Sequence, residues 1–520
     1  MRWYHFAILG IFGLLIPLAV AKFQPSPGYM DADYYYAGGA RLAGGHGFSE
    51  MILWNYLDDP AGLPHSSHAY WMPLASIIAA AGMRLTRTID FSSARLGFII
   101  LAAAIPPLTA LLGYTITNRR AFALTAGFLA VFSSYYLPYY PTTDTFGLYM
   151  VLGIAFFLLL GLGMKRQDNR SRIFIFIGLG AVAGLAHLSR ADGLIWLAIS
   201  SLAVLLFAGP SNKWRVLSVL AVFLGYFLVM APWFIRNNSE FGTFLSPGGN
   251  HALWLVSYDQ TFSYPAGKLT YDTWLASGWA AILANRFDAL KWNLQTAWAV
   301  QGTIFLLPFI ILGIWIYRRD FRIIIGVISW LVTFVLMTVV FPFAGSRGGF
   351  FHSGAALQPL WWVLFPVGLE RFIVWIEIKR IWRKGEAFKV FLVGAITICA
   401  LMSYVIFHNR IISSPGWGRE SERYRLVEAF ITSRPESNHE TVIVGNPPGF
   451  FNVSNRPAVA IPNETIEIVV EVAKRYGAIY LILEKDGTPS PLKPVYENPG
   501  AYPMIQYLGD IDGARIFFIP

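Results

Sequence analysis

The feature that most constrains this chain is a series of about eleven apolar runs, near residues 3–21, 93–115, 120–138, 145–163, 173–189, 192–208, 215–235, 300–317, 322–341, 353–375 and 389–407. A helix needs about 20 apolar residues to cross a bilayer, and most of these runs reach or approach that length. Only 13% of the 520 residues are charged, against about 25% in a soluble domain. These observations predict an α-helical polytopic membrane protein. With the amino terminus inside, the segments facing the cytoplasm carry Arg119-Arg120, Lys165-Arg166 with Arg170 and Arg172, Lys213 with Arg215, Arg318-Arg319, and Lys379-Arg380 with Arg383-Lys384. All five basic turns then fall on one side, as the positive-inside bias requires. The formal net charge of +10 is accounted for by these turns, so it carries no signal for nucleic acid.

Two segments need separate treatment. Arg2, the run to Val20 and Ala19-Val20-Ala21 have the outline of a secretory signal; the reading adopted is a retained first span, and either way the residues after Lys22 face outward. Trp71 to Leu85 is apolar but short, contains Pro73 and is followed by Arg84, Arg87 and Arg95. Counted as a span it would put every basic turn outside, so it is read as an amphipathic or re-entrant segment in the outer interface. The outer side then collects 22–92, the loop around 139–144, a partly interfacial region at 236–299, and everything after about 408.

From Ile411 the composition becomes that of a soluble domain. Residues 420–433 read as a helix, 441–444 and 458–461 as strands, Asn463 as the cap of a helix running to Arg475, and 478–483, 504–508 and 514–519 as further strands. The expected organisation is a transmembrane part over 1–410, with a long first outer loop at 22–92, and a small outer α/β domain over 411–520. Gly445-Asn446-Pro447-Pro448-Gly449 lacks the glycine spacing and the Lys-Ser/Thr ending of a phosphate loop.

Ionisable groups gather at the outer ends of the spans: Asp31 and Asp33 in Met30-Asp31-Ala32-Asp33-Tyr34-Tyr35-Tyr36, Asp144, Ser189-Arg190-Ala191-Asp192, Arg236, and Ser346-Arg347-Gly348-Gly349-Phe350-Phe351-His352. Asp31 and Asp33 share a face on a strand or extended loop and point about 200° apart on a helix. Charges near hydrocarbon are costly and face a cavity or a partner. Pairing as structural ion pairs is one account of the set; a common cavity is the better one, because separated segments agree on side and depth. Guanidinium groups bind phosphate fork to oxygen, and a carboxylate can take a proton from an incoming hydroxyl or amine. His46, His65 and His68, with Asp58-Asp59 nearby, admit a metal site, but Pro64 and Ser66-Ser67 favour a solvated loop. Sequons at Asn237, Asn452 and Asn463 fit an outer location without deciding it. The single cysteine, Cys399, excludes an intrachain disulfide.

These residues resemble a known group. Asp31-Ala32-Asp33-Tyr34-Tyr35-Tyr36-Ala37 running into Ala40-Arg41-Leu42, the acid Asp144, the turn Gly184 to Gly193 and Pro232-Trp233-Phe234-Ile235-Arg236-Asn237 are similar to polytopic glycosyltransferases of the GT-C class. The resemblance is to the branch of protein O-mannosyltransferases and lipid A aminoarabinose transferases, and it covers residues 1–410. Ala32 stands where many members have Glu, which displaces the second acid to Asp33. The resemblance implies inverting transfer from a polyprenyl-phosphate sugar to a lipid, glycan or protein acceptor at the outer face. It implies Asp31 as general base, Asp144 orienting or sharing that work with Asp33 beside the motif, and Arg190, Arg236, Arg347 and His352 holding the donor phosphate. It implies no cofactor for the chemistry; a divalent metal near Asp31 and Asp33 is left open. The rival reading is a transporter or flippase for a lipid-linked or anionic substrate. Against it, the sequence has no internal repeat, and its acids sit at span ends rather than mid-span.

Overall fold

The computed structural model describes residues 1–208, 211–379, 384–413, 416–434 and 439–520; Arg380 and Arg383 of the last basic turn lie outside that set. Eight helices among the described residues are long and apolar enough to cross a membrane: Trp3–Ala21, Phe91–Thr117, Thr145–Lys165, Asn169–Ser189, Asn212–Phe241, Phe321–Val340, Gln358–Glu377 and Gly385–Ile412. The other three expected spans contain shorter apolar helices, Arg120–Val131, Ala191–Phe207 and Leu307–Ile316. The run at 300–317 is interrupted because Thr303 and Ile304 take left-handed φ angles of 43° and 57°. The protein is a mostly helical, multi-pass membrane protein with a small sheet near its carboxyl end.

The chain divides into two compact units, Met1–Lys22 with Leu96–Ser239 and Arg286–Ser413, and Phe23–Arg95 with Glu240–Asn285 and Ser414–Pro520. In the first unit, acids cap helix starts. Asp168 accepts from the backbone N–H of Ser171 at 2.8 Å, and Asp320 from that of Arg322 at 2.9 Å, each satisfying a donor the helix itself leaves open. The basic turns gather at one end of the unit. Arg119 forks onto Glu370, Arg172 donates to the Ala208 carbonyl at 2.8 Å, and Arg322 reaches Thr115 at 3.4 Å. Helices that lack a hydrophobic driving force between them pack through small residues. Gly180 and Gly225 serve this between Asn169–Ser189 and Asn212–Phe241: a Cβ on Gly180 would fall 1.9 Å from the Val222 carbonyl oxygen, and one on Gly225 1.9 Å from that of Ile177.

The second unit holds a six-stranded sheet. Its strands are β2 (Ile52–Leu53), β4 (Thr441–Val444), β5 (Ala458–Ala460), β6 (Ala478–Glu484), β7 (Gln506–Ile511) and β8 (Ala514–Phe518), while β1 (Ser49–Glu50) and β3 (His65–Ser66) form a separate pair. The order is β2-β5-β4-β6-β8-β7, with β2, β5, β4 and β6 parallel and β6, β8 and β7 antiparallel. Alternation places Ile443, Val459 and Leu481 on the face covered by helix Ile466–Tyr476. Val442, Val444, Tyr480 and Ile482 lie on the other, under Tyr424, Val427 and Phe450. The strands of 411–520 form close to where the apolar runs predict them. Asn463 does not cap the next helix: its start falls at Thr465, and the Asn463 N–H goes to the Phe262 carbonyl. Residues 274–290 resolve into Tyr271–Ala276 and Gly278–Gln295, parted where Gly278 takes φ +82°. The apolar segment at 71–85 is helix Leu74–Thr86, lying on helix Met30–Ala43; a Cβ on Gly39 would meet the Ala79 methyl at 2.7 Å.

Candidate functional site

In the first unit the site begins at the helix Thr145–Lys165. Asp144 is its N-cap, accepting from the Thr145 N–H, and is 1% exposed. Its other oxygen lies 3.2 Å from Nε2 of His352. Nδ1 of that ring lies 3.0 Å from the Gly348 carbonyl. A carbonyl oxygen only accepts, so Nδ1 donates to Gly348, and this turns Nε2 toward the Asp144 carboxylate. The imidazole is fixed further by stacking on Phe146, with centroids 3.8 Å apart. The carbonyl reaches the ring because the chain breaks its helical course just before it: Gly348 adopts φ +104°, open to glycine at no steric cost.

Ser353, the next residue, places its hydroxyl against Asp192 and 2.8 Å from the Gly349 carbonyl. Asp192 accepts in turn from Arg190 Nε at 2.9 Å. Asp144 with His352, and Ser353 with Asp192 and Arg190, thus form two polar groups carried on adjacent residues of one helix, drawn from three separated segments. Arg347 is exposed in the broken turn that precedes His352. Arg236 engages its own helix, donating to Asn237 Oδ1 at 3.2 Å and lying over the Trp233 ring at 4.8 Å.

In the second unit, Asp31 and Asp33 lie in the first turn of helix Met30–Ala43, so the helical alternative holds and the two point in different directions. Asp31 is half-buried, at the helix end whose dipole and open N–H groups favour a carboxylate. Asp33 is 2% exposed and accepts from Asn446 Nδ2 and Asn452 Nδ2, both at 3.1 Å. Burial pushes its carboxyl up to about 7 against the pull of these two amides. Amide hydrogens meet both of its oxygens.

Two of the first loop's histidines, His65 and His68, have protein partners. His68 is buried, with its ring against Ser67 and Ser76 and its N–H on the Tyr34 hydroxyl. His65 lies in strand β3, 3.3 Å from Glu50. They share no helix face. Sequence reasoning passed over Asn446, read only as part of a turn, Asn452, read as a sequon, and Glu420, 2.8 Å from Asn446. The polar residues after the strand at 441–444 were the available signal.

No protein-family model and no curated protein matches the chain. Solved structures do. The oligosaccharyltransferase of Archaeoglobus fulgidus in the apo form aligns at TM-score 0.62 and 12% identity, covering 92% of this chain and 69% of that one. The same organism's AglB, in complex with an inhibitory peptide and a dolichol-phosphate, aligns at 0.60 and 15%, covering 92% and 69%. ArnT from Cupriavidus metallidurans, bound to undecaprenyl phosphate, aligns at 0.57 and 10%, covering 98% and 97%. At these identities the likeness is one of fold, and that fold is GT-C.

Proposed function

We propose that this protein is a membrane glycosyltransferase that moves a sugar from a polyprenyl-phosphate donor to an acceptor hydroxyl or amine at the extracytoplasmic face. The observation that carries the reading is the pair Asp144–His352 beside the group Ser353–Asp192–Arg190, lying at the end of the first unit opposite the basic turns. The GT-C fold supports it. So do the lipid phosphates held by two of the similar structures, dolichol-phosphate and undecaprenyl phosphate.

In the proposed reaction Asp31 takes the proton of the acceptor as its oxygen or nitrogen bonds to the anomeric carbon. The anomeric C–O bond breaks with inversion, and polyprenyl phosphate leaves as an anion. Asp144 orients or shares the work of the base. Arg190, Arg236 and Arg347 bind the phosphate and stabilise the charge that develops on it; His352, whose two ring nitrogens face Gly348 and Asp144, acts on that site by orienting Asp144. The transmembrane part over 1–410 carries this chemistry, and the α/β part over 411–520 steadies it or guides the acceptor. A separation of 3.2 Å between Asp144 Oδ2 and His352 Nε2 also suits two ligands of one divalent ion, which would supply positive charge beside the phosphate; the reading requires no such ion.

The test uses proteoliposomes containing the full chain and polyprenyl-phosphate sugars extracted from the native membrane. Transfer releases polyprenyl phosphate stoichiometrically with glycosylated acceptor. Movement of intact lipid-linked sugar between leaflets, without release of polyprenyl phosphate, would identify a flippase instead.

A further inference from the structure

The second unit contains a buried carboxyl, Asp33, and a half-buried one, Glu420, that share one donor group. Asn446 Nδ2 lies 3.1 Å from Asp33 Oδ2 and 2.8 Å from Glu420 Oε2. An amide nitrogen has two hydrogens, so this one is fully used by the pair. The Asn446 carbonyl oxygen is fixed as well, accepting the Gly449 N–H at 3.0 Å as the cap of helix Pro447–Ser454. Asn452, on that same helix, completes the grip on Asp33 with a second contact to its backbone carbonyl at 3.0 Å.

The two acids are placed differently. Asp33 receives two amide donors and suits a negative charge. Glu420 shares its one strong donor and has acids on either side. Its other oxygen is only 3.4 Å from the Tyr424 hydroxyl, which also faces Glu484. Glu484 is held by Arg423 at 2.9 Å, and Arg423 reaches on to Asp512. On its own helix Asp33 acts on Tyr36, which also feels Asp90. Two carboxylates on one amide are unfavourable together, because each loses water and they repel at short range.

We propose that Asp33, Asn446 and Glu420 form a proton-linked clasp that positions the helix Met30–Ala43, and with it Asp31, on the α/β sheet. Asp33 is thereby a positioning residue rather than a catalytic one. With one proton on the pair, Asn446 and Asn452 hold the ionised Asp33 while neutral Glu420 is tolerated beside it; removing that proton leaves two charges on one donor and loosens the helix. Burial is the largest cause of the upward shift at both groups, Asp33 to about 7 and Glu420 to about 8. The inference concerns how this helix is held, and its test does not depend on the transfer reaction.

Hydrogen–deuterium exchange of peptides spanning 30–43, read in the full chain in lipid nanodiscs and corrected for the intrinsic pH dependence of exchange, tests it. In the wild type the opening constant of this helix should rise about tenfold from pH 7 to pH 8, the signature of one proton released on opening, and level off above. Glu420→Gln keeps an acceptor for Asn446 and cannot ionise, so it should reduce that rise to less than about threefold while the helix stays protected. Asp33→Asn should speed opening across the whole range. A wild-type opening constant independent of pH, or an equal rise in Glu420→Gln, overturns the proposal.

Discussion

His352 and Asp144 face one another at 3.2 Å, with the far nitrogen of the imidazole anchored on the Gly348 carbonyl. The pair is built from two segments about 200 residues apart in sequence, and the stacked Phe146 leaves the ring little freedom. A rigid acid–imidazole pair costs little reorganisation when charge develops beside it.

Loss of either partner should therefore cost activity more than stability. Asp144→Asn and His352→Gln are each expected to lower sugar transfer by about 10²-fold or more, the usual range for a positioned acid–base or charge-stabilising group. Size-exclusion profiles and circular dichroism of the purified variants should remain those of the wild type. Transfer within about threefold of wild type in both variants would remove the pair from the chemistry.

Arg190 and Asp192 should separate by kinetics. Arg190→Ala removes a phosphate ligand in the proposed reaction and is expected to raise the apparent KM for the lipid donor about tenfold, roughly one charge-assisted hydrogen bond. Asp192→Ala removes the carboxylate that accepts from the Arg190 guanidinium and faces the Ser353 hydroxyl. It should cost about 1–3 kcal/mol of stability, read as a lower thermal midpoint in detergent.

Asp33 and Glu420 of the second unit set a pH dependence with a definite sign. Asp33 rises from 3.8 to about 7 and Glu420 from 4.5 to about 8 on folding, burial being the largest cause for each. A carboxyl whose folded value is raised holds its proton more tightly when folded, so its contribution is complete below the unfolded value and is lost as pH rises through the folded one. The thermal midpoint of the full chain should therefore fall between about pH 5 and 8 and flatten above, with Glu420→Gln removing the upper part of the decline. A midpoint that climbs across this window would contradict the assignment.

Helix packing in the first unit gives a purely structural prediction. Gly180→Val places a branched side chain where even a Cβ would lie 1.9 Å from the Val222 carbonyl oxygen. The contact is backbone, so no rotamer relieves it. Such overpacking costs about 1–3 kcal/mol or more, measurable as a lower yield of monodisperse protein and a reduced thermal midpoint.

What the sequence made legible follows from what each signal depends on. Spans depend on local hydropathy, so every expected run contains a helix, and the basic turns that marked one side meet through contacts such as Arg119 with Glu370 and Arg172 with Ala208. Strands at 441–444 and 478–483 were legible because they are continuous apolar runs, buried on both faces. The strand Ile52–Leu53 was not, since two residues carry no period and its partner, Ala458–Val459, lies some 400 positions away. The pairing of Asp144 with His352 joins two of the acid and basic groups that the sequence placed at the same depth along the spans. Asn446 and Asn452 were missed because an amide in a turn has no signature of the carboxylate it will hold. The different directions of Asp31 and Asp33 turned on whether 30–43 was helix or loop, and a Tyr-rich segment decides that only once it packs on Leu74–Thr86.

The most direct measurement of the central claim is mass spectrometry of glycolipids and glycoproteins from cells that carry the active protein, lack it, or carry Asp31→Asn at equal expression. The account predicts a species heavier by one sugar residue in the first and its absence from the other two, with lipid-linked sugar accumulating in both. Identical profiles in all three, or full modification in the Asp31→Asn cells, would contradict it.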